Sequence, residues 1–216
     1  MTMKMKLAAV ATTAVALLWS LPAHASTVSI ALGSTSNVVA GPDASGNTFL
    51  VAPLPPGWSL NSVTVTGNPP IPNPQLLAST SFNIAAAGSA TLAVFVTSVD
   101  NIPLGPSFLT TSTTNALPAG WTVEEKTWIG PDNMPFGLGT LIGDQIFTSM
   151  GVSQQIGGAS PANPYSITAE YIITASATPG TANSTIDVFS APEPSSLLLL
   201  GTGLLGLGFS LRRKHI

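Results

Sequence analysis

Glu124 and Glu125 stand side by side, followed by Lys126 and flanked by Trp121 and Trp128. Two carboxylates can hydrolyse a glycosidic bond when they face each other across a cleft, about 5 to 9.5 Å apart. Adjacent residues of a strand point to opposite faces, so Glu124 and Glu125 do not make that pair by themselves. A hydrolytic pair has to come from distant strands, and Glu170 reads as a solvated glutamate in the middle of one. Tryptophan offers other chemistry, because its ring packs on the apolar face of a sugar. Trp58, Trp121 and Trp128 are the candidates for sugar stacking, against the plainer role of core and turn anchors. Trp121 and Trp128 differ by an odd number of positions, so one regular strand sends them to opposite faces.

The remaining candidates are weaker. Asp43 and Asp132-Asn133 lie in turn sequences and could offer oxygens to calcium. Calcium takes six to eight oxygens, and no D-x-[DN]-x-[DN]-G loop is present. Asx-turn capping accounts for both. Lys126 is the sole base between residues 26 and 190, and no spacing singles out a serine to partner it. It reads as a solvated strand residue.

Absences decide more. Residues 26–190 hold eight acids and one base, a net charge of −7, with no arginine, histidine or cysteine. Phosphate neutralisation needs Lys or Arg, so nucleic acid is not a partner. Ser-His-Asp and Cys-His nucleophiles are excluded, as are zinc sites built on His and Cys. No disulfide can form, and at this size a hydrophobic core suffices. We expect no catalytic residues, no metal and no cofactor.

Both ends of the chain are addresses. Lys4 and Lys6 precede an apolar run at 7–21, and Ala23-His24-Ala25 gives an A-x-A site. These are the three regions of a secretory signal peptide, with cleavage expected between Ala25 and Ser26. At the other end come Pro192-Glu193-Pro194, an uncharged span at 195–211, and Arg212-Arg213-Lys214. The span is at the short end of what crosses a bilayer. The basic stop holds the C-terminus in the cytoplasm. The two prolines discourage helix before the span and leave the motif extended.

Motif, span and basic end together resemble the PEP-CTERM sorting signal, over residues 191–216 alone. The resemblance implies recognition of Pro192, Glu193 and Pro194 by exosortase, an integral-membrane processing enzyme. It also implies removal of the signal during sorting, in a Gram-negative bacterium that makes exopolysaccharide. Gly201-Thr202-Gly203-Leu204-Leu205-Gly206 fits G-x-G-x-x-G, but it lacks the acidic residue about 20 positions on that a dinucleotide site needs.

Between the two ends lies one domain, 26–190. Tyr165 to Ala175 alternates apolar and polar residues, as a half-buried strand does. The segment 89–100 is apolar on both faces and reads as a central strand. Further strands are expected at 28–32, 48–51, 60–66, 81–85, 108–112, 121–129, 145–150 and 185–189, with Gly, Pro, Asn and Asp between them. Residues 76–78 and 136–141 could each hold a short helical turn. Leu54-Pro55-Pro56-Gly57-Trp58 is echoed by Leu117-Pro118-Ala119-Gly120-Trp121, which suggests equivalent turn-to-strand corners, one in each sheet.

The fold class is therefore all-β, an antiparallel sandwich of roughly eight to ten strands with an N-terminal signal helix and a C-terminal transmembrane helix. The expected role is a non-enzymatic surface or extracellular-matrix protein, sorted by exosortase and associated with exopolysaccharide or biofilm. The alternatives are a carbohydrate-binding module that uses exposed Trp and a carboxylate-only glycosidase. The expected partners are signal peptidase and the secretion machinery, the inner membrane before processing, and exosortase.

Overall fold

The computed structural model describes residues 27–43, 47–49, 54–67, 76–102, 106–161, 164–191 and 202. The signal segment, its cleavage site at Ala23, Ala25 and Ser26, the sorting motif with its apolar span and the basic stop lie outside them.

The strands, in chain order, are β1 Thr27–Leu32, β2 Val38–Asp43, β3 Asn47–Phe49, β4 Trp58–Gly67, β5 Leu76–Ala86 and β6 Ala90–Asn101. They continue with β7 Ser107–Ala116, β8 Thr122–Gly130, β9 Thr140–Phe147, β10 Gly151–Gly158, β11 Tyr165–Ala175 and β12 Gly180–Ser190. One six-stranded sheet runs β2-β1-β6-β11-β8-β9 and the other β10-β7-β12-β5-β4-β3. Every ladder is antiparallel. Read from the same side, the two orders set β2 against β3, β1 against β4, β6 against β5, β11 against β12, β8 against β7, and β9 against β10. All but one of these pairs are consecutive in the chain. The sandwich is a row of chain crossings from sheet to sheet, which suits short connections.

Alternation builds the interior. Tyr165, Ile167, Ala169, Tyr171, Ile173 and Ala175 of β11 all point inward and are buried. Leu92, Val94 and Val96 of β6 join them from one side; Phe82 and Ile84 of β5, and Ile186 and Val188 of β12, meet them from the other. Aromatic pairs bridge the sheets edge to face: Phe82 with Tyr171 at 4.9 Å between centroids, and Phe108 with Tyr165 at 5.8 Å. Such pairs add roughly 0.5–1.5 kcal/mol each beyond the area they bury.

The structure departs from the sequence reading in three places. Among the described residues twelve strands form. The two not expected are β2, which holds Gly41-Pro42-Asp43, and β10. Proline is tolerated in β2 because that strand lies at a sheet edge. β10 escapes notice because its half-buried positions are Gly151, Ser153, Gln155 and Gly157, with no apolar residue among them. Residues 76–78 are the start of β5, not a helical turn, with Leu77 and Ala78 in the core. At 136–141 the chain makes a non-helical turn with Phe136 at φ 60°, then enters β9.

Candidate functional site

The outward positions of β8 are Glu124, Lys126 and Trp128; Val123, Glu125, Thr127 and Ile129 point inward. Register carries neighbours to the outward set from both sides. On β9, Ile146, Asp144 and Leu141 stand opposite Glu124, Lys126 and Trp128. On β11, Ile172, Glu170 and Thr168 do the same. One sheet face thus gathers the body's only cation, three of its carboxylates and a tryptophan.

The charges are matched locally. Lys126 Nζ lies 2.6 Å from Glu124 Oε1. Its ammonium is held above its ordinary range first by that hydrogen bond; burial, the next largest influence, opposes the rise, and the charges of Glu124, Glu170 and Asp144 add to it. Trp128 donates its indole N–H to Glu170 Oε2 at 3.2 Å. Glu170 is therefore more than a solvated strand residue: it fixes the plane of the half-buried Trp128 ring. A ring fixed by a carboxylate, with a cation and further carboxylates beside it, can stack on a sugar face and hydrogen-bond its hydroxyls.

The turn 131–139 walls one side of this face. Asp100 N–H donates to Asn133 Oδ1, and Asn133 Nδ2 donates to Asp100 Oδ1, both at 2.8 Å. This exchange ties the turn to the end of β6 and seats Phe136 on Ala31 and Phe95. Asp132 accepts the Met134 N–H in its own turn, as Asx capping requires. Among the described residues no group of His, Cys, Asp or Glu is placed to hold a metal.

The three tryptophans do not form one platform. Trp121 is 1% exposed and donates its indole N–H to Thr178 O at 3.0 Å, so it is closed to any ligand. Trp58 is half-buried against it. Trp128 alone of the three lies on the outer face of a sheet.

Glu125 is the residue that sequence reasoning left without a role. It is 1% exposed and reaches across the core to the other sheet. Its Oε1 accepts from Thr114 Oγ1 of β7 at 3.2 Å and from Ser184 Oγ of β12; its Oε2 is buried with no hydrogen-bond partner among the described residues. Burial pushes its carboxyl up to about 7, against the lowering effect of the Ser184, Ser112 and Thr114 hydroxyls. The signal was present in the alternation, since Glu125 shares its face with Val123 and Ile129.

The last strand leads directly to the address. β12 ends at Ser190, and Ala191 N–H donates to Ser107 O of β7 at 2.9 Å. Residues 190–214 match the family described as the PEP-CTERM protein-sorting motif. The chain carries a PEP-CTERM sorting signal. It is an exported protein, and the signal implies exosortase-dependent processing. The body and the PEP-CTERM match share Ser190, so no linker separates them.

No curated protein matches this chain. Among solved structures it is similar to TmCBM61 in complex with β-1,4-galactotriose, at 12% identity and TM-score 0.34, over 63% of this chain and 90% of that one. It is similar to the K1 cleaved adhesin domain of Lys-gingipain from Porphyromonas gingivalis W83, at 9% identity and TM-score 0.33, over 76% and 99%. A third is TmCBM27, a carbohydrate-binding module that recognises mannan, at 10% identity and TM-score 0.31, over 63% and 90%. Scores this low carry no argument about ligand or role.

Proposed function

We propose that this protein is a non-enzymatic component of the cell surface or extracellular matrix of a Gram-negative bacterium, associated there with exopolysaccharide and biofilm. Signal peptidase frees Ser26 after export. The tail holds the body at the outer side of the inner membrane, and exosortase then acts at Pro192-Glu193-Pro194. The observation that supports this reading is the junction at Ser190 and Ala191. The Ala191–Ser107 bond fixes the chain one residue before the motif. The folded sandwich is therefore delivered with its address directly at its end. Glu124 and Glu170 are already matched to Lys126 and Trp128 on an open sheet face, which favours a binding or structural role over hydrolysis.

The test is the intact mass and location of the protein in its host, with and without exosortase. A species that starts near Ser26, ends near Pro192–Pro194 and leaves the membrane only when exosortase is present supports the proposal. A species that keeps 195–216 in the membrane in both strains overturns it.

A second reading, a carbohydrate-binding module, is favoured by the Trp128–Glu170 pair beside Lys126. Its test is retention of the protein on exopolysaccharide. Loss of retention in a folded Trp128→Ala variant supports that reading; unchanged retention removes it.

A further inference from the structure

Among the described residues β10 is the outermost strand of its sheet, and β7 is its one ladder partner. From Gly151 to Gly158 it carries no charge and no proline. A bare edge of this kind is a template for another strand, which proteins usually block with charge, proline, bulges or a covering group. The neighbouring edge strand shows what blocking looks like. β9 carries Asp144, and its ladder with β8 is interrupted between Thr127 and Trp128. Gln155 of β10 also covers β9: its amide accepts from Asp144 N at 2.6 Å and donates to Asp144 O at 2.5 Å, in place of a strand. No such device protects β10 among the described residues. The three most exposed large apolar side chains among them are Ile156 at 75%, Met150 at 67% and Val152 at 66%, all on this strand or just before it.

The pattern along β10 is self-complementary. Its outward residues are Val152, Gln154 and Ile156, so Gln154 is the centre of a symmetric row. Antiparallel pairing about a two-fold axis through Gln154 sets Val152 opposite Ile156 of the partner subunit, and Gln154 opposite Gln154 of the partner subunit. Opposed apolar residues in an antiparallel pair stabilise it, and a two-fold contact closes without further growth. Charge favours the same place. The body carries −7, yet no charged residue occurs from Gln145 through Ala169. β10 itself brings no acid to the contact; the acids beside it are Asp144 of β9, whose backbone Gln155 holds, and Asp187 of β12, two strands in from Gln154.

We infer that β10 docks edge to edge with β10 of a second copy of this chain, joining two six-stranded sheets into one. This goes beyond the proposed role and rests on the strand alone. The chain has no cysteine, so single introduced thiols report the register without background. The experiment uses the full chain produced in its exporting host and purified, with mass measured by light scattering and cross-links by non-reducing electrophoresis. Gln154→Cys is expected to form a disulfide-linked dimer under mild oxidation. Val152→Cys and Ile156→Cys alone are expected to stay uncrosslinked, and the double variant to crosslink. Ile156→Lys is expected to halve the particle mass, with strand content unchanged by circular dichroism. Three results overturn the inference: a monomeric parent, a dimer that survives Ile156→Lys, or Gln154→Cys crosslinking no faster than Ser89→Cys in a distant turn.

Discussion

The indoles of Trp58 and Trp121 meet edge to face, with centroids 6.3 Å apart and planes at 77°. Each ring enters its place from the same kind of turn. Trp58 N–H donates to Pro55 O at 3.2 Å, and Trp121 N–H to Pro118 O at 3.1 Å. The residues before them, Gly57 and Gly120, sit at φ 89° and 78°. A four-residue turn with glycine at positive φ in its third position is type II. The echoed Leu-Pro-x-Gly-Trp segments are thus matching corners, one leading into β4 and one into β8, in opposite sheets. Their rings close the sandwich where the corners meet.

This clamp predicts coupled losses. Trp121→Ala empties a buried site and is expected to cost about 3–5 kcal/mol. Trp58→Ala, at a half-buried site, is expected to cost less. The double variant is expected to fall short of the sum by about 0.5–1.5 kcal/mol, the edge-to-face contribution. Urea unfolding of the four proteins of the cycle measures this, and additive losses would show that the rings do not support each other.

The turns predict a second effect, independent of the rings. Gly120→Ala forces an L side chain to φ 78°. Its Cβ would meet Ser176 Cβ at 3.4 Å, an ordinary contact, so the cost is conformational. We expect a loss of about 1 kcal/mol or more. A substitution that leaves the unfolding midpoint unmoved would mean that the turn relaxes to another type.

The Lys126–Glu124 pair predicts a salt-dependent effect. Both side chains are partly exposed, so Lys126→Met is expected to cost no more than about 1 kcal/mol at low ionic strength. The loss is expected to shrink as salt screens the unpaired Glu124 from Glu170 and Asp144. Thermal melts of parent and variant along a salt series give the comparison. A difference that grows with salt would contradict a coulombic origin.

Tyr165–Ala175 and the segment 89–100 were legible because alternation and a two-faced apolar run each report burial directly; they became the central strands β11 and β6. The corners were legible because turn chemistry is local. The Trp128–Glu170 bond was not, since it depends on a register between strands 42 positions apart in sequence. β10 was not, because its only apolar residues face out. The opposite facing of Glu124 and Glu125 follows from adjacency. That the inner one stays in the core, bonded to hydroxyls of the other sheet, depends on what β7 and β12 present there.

That inner carboxyl makes stability depend on pH with a definite sign. Glu125 titrates near 7 in the fold, against 4.5 for an ordinary glutamate, with burial the largest cause. Below about 4.5 both states hold the proton, and the group imposes no penalty. As pH rises from there, the unfolded chain releases its proton while the folded one keeps it, so folding loses stability with increasing pH. The loss is complete once pH has passed 7 and amounts to about 3 kcal/mol. The groups facing Glu125 are the hydroxyls of Ser112, Thr114 and Ser184 across the core and Tyr171 of β11. Tyr171 is held neutral, because burial pushes its own hydroxyl well above the ordinary tyrosine range. No cation is among them to rescue the charge. Glu125→Gln keeps the shape and cannot ionise. Unfolding midpoints across this range are expected to fall with pH in the parent and to lose that slope in the variant, which should exceed the parent in stability above pH 7. An equal slope in both proteins would show that other carboxylates set the pH dependence and that Glu125 is solvated in the fold.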